Sequence, residues 1–121
     1  MAHILAVDDS QAIRLMVQSV LEKEGHKVTS AESGIDALGV ARENSVDLII
    51  TDLNMPNMGG MALVGHLRKI DNHRFTPILI MTTEHSDFLK AKAKSAGASG
   101  WIKKPVDEER LLRAVDKTLN R

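Results

Sequence analysis

The chain has 121 residues, 43% of them hydrophobic, which suits one folded domain with a real core and argues against disorder. Lys plus Arg total 16 and so do Asp plus Glu, so the basic excess or stripe of a nucleic-acid-binding domain is missing. There is no cysteine for disulfides or thiolate metal sites, and the first apolar stretch is too short for a signal-peptide core or a membrane span; a cytoplasmic monomer binding neither nucleic acid nor membrane is expected.

In chain order, residues 4–7 form a continuous apolar run, the pattern of a strand covered on both faces in a parallel sheet. Ile13, Met16, Val17, Val20 and Leu21 follow at helical spacing, with Gly25 as a C-terminal stop. Residues 27–31 read as a weaker strand whose polar content suits a sheet edge, and residues 34–43 as a less strongly patterned helix. A second continuous strand covers 48–50. Leu63, Leu67 and Ile70 mark a third helix, and residues 78–81 are the third apolar strand. A further helix is expected over 86–96 and a polar edge strand over 99–103. Leu111, Leu112, Val115 and Leu119 mark the last helix, with Asp107, Glu108 and Glu109 where a helix N-terminus favours negative charge. Five strand–helix units in alternation predict an α/β doubly wound, five-stranded parallel sheet. With strands one, three and four central, the order is 2-1-3-4-5. One domain over residues 1–121 is expected, without repeat or linker.

In such sheets ligands bind beyond the carboxyl ends of the strands. The first strand ends in Asp8-Asp9, the third in Asp52, the fourth in Thr82-Thr83 and the fifth in Lys103-Lys104-Pro105. With strands one and three adjacent, three carboxylates converge and repel unless a cation enters. All-oxygen ligands suit Mg²⁺, which binds one or two carboxylates, keeps waters and leaves room for a phosphate. Taken singly, each residue has an ordinary structural explanation. Asp9 or Ser10 caps a helix, Asp52 closes a strand, Thr82 is a β-branched strand end and Lys104 a solvated charge. Four such coincidences at successive strand ends are the less economical account.

The stretch Asp47-Leu48-Ile49-Ile50-Thr51-Asp52-Leu53-Asn54-Met55-Pro56-Asn57-Met58 resembles the phosphoacceptor segment of bacterial response-regulator receivers of the CheY, chemotaxis type. Thr82-Thr83-Glu84 resembles the family's switch segment, and Trp101-Ile102-Lys103-Lys104-Pro105 its aromatic-x-x-Lys-Pro element. The strand order above is one for which CheY is itself a standard example, so on that point the match is agreement rather than discovery. The resemblance implies a flavodoxin-like fold and a two-component response regulator phosphorylated on Asp52 by a histidine kinase. Asp8 through water, Asp9, Asp52 and the main-chain carbonyl of Asn54 would hold Mg²⁺. Lys104 and Thr82 would contact the phosphoryl group, Thr82 and Trp101, expected next to Thr82 on the neighbouring strand, would act as switch residues, and Asn54 and Glu84 would tune hydrolysis. It also implies a cis Lys104-Pro105 bond, and it makes Lys103 peripheral. The chain departs from the family pattern at Trp101, where Tyr or Phe is more common, at Gly59, where Asp is common, and at Val106, which replaces a frequent Phe.

Two roles fit the resemblance: a diffusible chemotaxis signal for a flagellar-motor or pathway target, and a phosphorelay intermediate. Other classes fit less well. An Asp-nucleophile phosphatase of the haloacid dehalogenase class needs a second Asp where this chain has Asn54. An FMN carrier needs a phosphate loop where Asp8 and Asp9 would repel the ligand. No enzymatic activity is expected beyond self-catalysed transfer to, and hydrolysis from, Asp52. His3, His26, His66, His73 and His85 show no metal-ligand spacing and are expected to be solvated or packed. Lys90, Lys92 and Lys94 form a solvated helix face that could meet an acidic partner.

Overall fold

The continuous apolar runs become strands because alternate side chains of each strand meet a covered face on both sides of the sheet. The structure, a computed structural model, describes residues 1–84 and 86–119. His85 lies outside the described residues. The elements are β1 (His3–Val7), α1 (Gln11–Lys23), β2 (Lys27–Ala31), α2 (Gly34–Glu43), β3 (Leu48–Asp52), α3 (Gly60–Leu67), β4 (Ile78–Thr82), α4 (Asp87–Ala96), β5 (Gly100–Lys103) and α5 (Glu108–Thr118). A single 3-10 turn, Asp71–His73, precedes β4. All strand pairs are parallel and the order is β2-β1-β3-β4-β5, the expected topology.

Leu5, Val7, Ile49, Ile78 and Ile80 point to the side covered by α2, α3 and α4. Ile4, Ala6, Leu48, Ile50, Leu79, Met81 and Ile102 point to the side covered by α1 and α5. Side-chain oxygens of Ser10, Ser33, Ser86 and Asp107 cap α1, α2, α4 and α5, accepting from N–H groups that the first turn leaves without partners. Ser10 rather than Asp9 is the cap of α1, which leaves the Asp9 carboxylate for other work. Gly59 takes the cap position of α3 with no side-chain bond. Gly60, which follows it, lies so close to β3 that an added Cβ would collide with the Asp52 carbonyl.

The third helix is shorter than its pattern suggested. It stops at Leu67, and Ile70 packs on the core from outside it. The break falls at Arg68, whose guanidinium reaches the carbonyls of His73 and Thr76 instead of solvent. Leu119 likewise caps α5 from just beyond its end. His73 is a packing residue: it is fully buried, with Nε2 bonded to the carbonyls of Ala41 and Asn44.

Candidate functional site

The parallel register carries Asp8 just past β1 and Asp52 to the end of β3, on adjacent strands. Asp8 is 2% exposed and Asp52 7%. Carboxylates this deep need fixed partners, and they have them. Asp8 Oδ1 accepts the Ser10 N–H at 2.9 Å, and Arg14 donates to the Asp8 carbonyl at 2.7 Å. Asp52 Oδ1 accepts its neighbour Leu53 N–H at 2.9 Å. The Lys104 ammonium lies between the two acids, 3.2 Å from Asp8 Oδ2 and 3.1 Å from Asp52 Oδ1. Asp52 Oδ2 accepts no hydrogen bond among the described residues. Exposed Asp9 completes a group in which one carboxylate oxygen from each of Asp8, Asp9 and Asp52 lies within 4.8 Å of the other two.

Burial pushes the Asp52 carboxyl above the ordinary aspartate range, and the Asp8 charge adds to this; Lys104 and the Leu53 N–H offset only part of it. For Lys104 burial pulls the other way, but the hydrogen bonds and charges of Asp52 and Asp8 outweigh it, so its pKa sits above the usual lysine value. One ammonium is thus shared between two acids, and the cluster still has a surplus of negative charge. Three carboxylates, no nitrogen or sulfur donor, and one exposed member open to water match a hard divalent cation that keeps part of its hydration shell.

The Lys104 N–H donates to the Thr82 carbonyl at 2.8 Å, which fixes its main chain beside the end of β4; the Lys104-Pro105 bond is cis. Exposed Lys103, aligned with Thr82, has no ion-pair partner among the described residues.

Thr82 is buried, and its hydroxyl oxygen accepts the Glu84 N–H at 3.1 Å. The Asn54 side chain donates to Glu84 Oε2 at 3.1 Å, and the Trp101 indole N–H donates to the Glu84 carbonyl at 3.2 Å. The sequence expectation set Trp101 beside Thr82; in the sheet its Cα partner is Ile80, and its half-buried ring packs on the α2, α3 and α4 side. The structure therefore forms two groups: Asp8, Asp9, Asp52 and Lys104 in one, and Asn54, Thr82, Glu84 and Trp101 in the other. Sequence reasoning did not single out Arg14, because its bond to a main-chain carbonyl leaves no residue-type pattern.

No helix among the described residues is long and apolar enough to cross a membrane. Residues 4–116 match the response regulator receiver domain. The protein PilH of Pseudomonas aeruginosa is 37% identical over 119 residues, covering 98% of this chain and 98% of that protein. The chemotaxis protein CheY of Bacillus subtilis is 36% identical, covering 99% of this chain and 100% of that protein. The structure of the chemotaxis protein CheY4 of Vibrio cholerae superposes with a TM-score of 0.96 at 44% identity, covering 98% of this chain and 99% of that one. Together with the parallel sheet and the carboxylate group at its edge, these matches establish that the chain belongs to the response regulator receiver domain family, close to its CheY and PilH chemotaxis-type members.

Proposed function

We propose that residues 1–121 act as one receiver domain that takes a phosphoryl group on Asp52 from a histidine kinase and signals to a chemotaxis-type target. The observation that carries this reading is the Lys104 ammonium bridging Asp8 and Asp52 with the Asp9 carboxylate alongside. Asp52 Oδ2, free of donors, attacks the phosphorus of the phosphohistidine; the P–N bond breaks, and its electron pair stays on the imidazole. Asp8 through water, Asp9, Asp52 and the Asn54 carbonyl would hold Mg²⁺, which would supply neutralisation of charge on the transferring oxygens. Lys104 exchanges its Asp52 contact for a phosphoryl oxygen, and the Thr82 hydroxyl donates to another. Asn54 and Glu84, tied to each other at the mouth of the site, position the water that later hydrolyses the acyl phosphate.

Signalling needs the phosphorylated state to favour a different surface. Thr82 and Trp101 connect the site to that surface through Glu84. Lys90, Lys94 and Trp101 line one cavity of about 240 Å³, and Trp101, Lys103, Arg110, Arg113 and Lys117 line another of about 410 Å³. A target with an acidic docking segment fits this face. Intact-mass spectrometry after incubation with acetyl phosphate tests the acceptor. Wild type should gain one phosphoryl mass in the presence of Mg²⁺ and not in its absence, and Asp52→Asn should gain none. Equal labelling of both proteins would falsify the assignment.

A further inference from the structure

Arg68 is a cation with no carboxylate partner among the described residues. Nε and Nη2 of its guanidinium donate to the Gly97 carbonyl at 3.1 and 2.7 Å. Nη1 donates to the carbonyls of His73 at 2.9 Å and Thr76 at 2.6 Å. One side chain at the end of α3 thus ties the C-terminal cap of α4 to the loop that leads into β4. Gly97 carries φ +116°, and a Cβ there would stand 3.1 Å from Arg68 Cγ and Nε, so glycine is needed both for the turn and for the approach. The carbonyls at a helix C-terminus carry partial negative charge, which favours a cation in this place.

The rest of α4 is held weakly. It buries only Ala93, whereas α1 buries Val17, Val20 and Leu21, and α2 buries Gly34, Ala37, Leu38 and Ala41. Beyond its C-terminal end the chain is fixed again, by the Ser99 N–H on the Ile78 carbonyl at 2.7 Å and the Ile78 N–H on Ser99 Oγ at 3.0 Å. At the other end the cap bond, Leu89 N–H to Ser86 Oγ, stays within the helix, and Phe88 is 75% exposed. Ahead of this end, the described chain is held by the hydrogen bonds of Glu84 in an exposed loop, so the helix is gripped more firmly at its C-terminal end.

We propose that Arg68 is the positioning residue that pins the C-terminal end of α4, so that the helix opens from its N-terminal end and pivots about Gly97. Opening of this kind requires few buried apolar contacts at the moving end and firm contacts at the fixed end, and α4 has both. The pivot decides which part of the basic face moves: the Lys90 end swings while the Lys94 end stays in place. It needs no phosphoryl group, so it stands or falls separately from the assignment of Asp52.

Amide hydrogen exchange by NMR on the unphosphorylated full chain tests it residue by residue. The amides of Lys90 and Lys92 should exchange at least about tenfold faster than those of Gly97 and Ala98, both bonded to the Ala93 carbonyl. In Arg68→Met, Gly97 and Ala98 should lose about tenfold in protection while β1 and β3 keep theirs. Arg68→Lys, which retains a charge but not the forked donors, should fall between the two. A merely structural role would lower protection throughout the sheet, which β1 and β3 report. Uniform protection along α4 in wild type overturns the pivot without any variant. So does an unchanged Gly97 and Ala98 in both variants, or a loss in Arg68→Lys spread evenly over the whole chain.

Discussion

The part of the molecule built on β1 and β3 and the part built on α4 and β5 are held by different forces. Every residue of β3 is buried, and of β1 only His3 is not. Their carboxylates are fixed by Lys104 and by main-chain N–H groups. In the second part α4 buries only Ala93, and β5 buries only Ile102. Apart from Lys104, which directly follows β5, its links to the site are hydrogen bonds to Glu84 in an exposed loop. The difference follows from the physics of the two tasks. The energy of closely spaced like charges depends steeply on distance, so groups that share a cation must not drift. A surface that changes with the state of the site must have two arrangements close in free energy, which thin packing allows.

The largest test of this contrast uses two neighbouring lysines. Lys104→Met removes the cation that, alone among the described residues, bridges Asp8 and Asp52, and should cost about 3 kcal/mol, the lower end for breaking a buried pair. Lys103→Met, one residue earlier on the exposed side, should change stability by no more than about 0.5 kcal/mol. Denaturant midpoints measure both, and equal losses would erase the distinction.

Mg²⁺ gives the next largest effect. A ligand that binds only the native state adds about 2.7 kcal/mol at roughly a hundred times its Kd. The gain should be read as a raised melting temperature reversed by a chelator. Asp9→Ala should shrink it, and by relieving repulsion should leave the metal-free protein no less stable. A melting temperature indifferent to Mg²⁺ speaks against a metal at this group.

Glycines probe the stiffness of each part directly. A methyl group at Gly60 meets the main chain of Asp52 and Leu53, neither of which can turn aside. Gly60→Ala should therefore cost about 2 kcal/mol and slow labelling of Asp52. At Gly100 the new methyl meets only Leu79 Cδ2, at 2.7 Å, the far end of a flexible side chain. Alanine also suits a strand better than glycine, so Gly100→Ala should stay within about 0.5 kcal/mol of wild type. A larger loss at Gly100 than at Gly60 would reverse the order of stiffness.

The stiff part was the legible one. A strand covered on both faces reads as an unbroken apolar run, and its end is marked where polar residues begin, so Asp8, Asp9, Asp52 and Thr82 could be lined up from the sequence. Ser10 as a possible cap and the negative charge at Asp107 marked the starts of the first and last helices by the same logic. The bonds made to main-chain carbonyls were not legible, because any residue supplies a carbonyl. Arg68 reads as a surface charge until Gly97, His73 and Thr76 are seen around it. Ile70 fits the helical spacing of Leu63 and Leu67 for the same reason that the break at Arg68 is invisible. Trp101 was placed beside Thr82 because register depends on where β5 begins, and periodicity does not fix that to a single residue.

The smallest effect is at Trp101, the only tryptophan in a chain with no tyrosine. Its indole N–H holds the Glu84 carbonyl, while the Glu84 N–H holds the Thr82 hydroxyl oxygen. If a phosphoryl group on Asp52 turns that hydroxyl inward, the Glu84 N–H loses its acceptor and the loop carrying the carbonyl shifts with it. Trp101 should then report the event by a changed emission and a changed quenching by iodide, on phosphorylation or with a beryllium fluoride mimic. Thr82→Ala should still accept the phosphoryl group and give a smaller optical change, because the relay lacks its first link. Glu84→Gln keeps an acceptor for the Asn54 side chain and should respond nearly as wild type does. Trp101→Phe removes one exposed hydrogen bond and should cost only about 0.5 kcal/mol, the low end for such a bond. A firmly packed ring would cost several times more on truncation, so that small loss is itself part of the argument. Full phosphorylation by mass with unmoved emission and quenching would make Trp101 a packing residue, and the exposed bonds through Glu84 would not be the route by which the site reaches the surface.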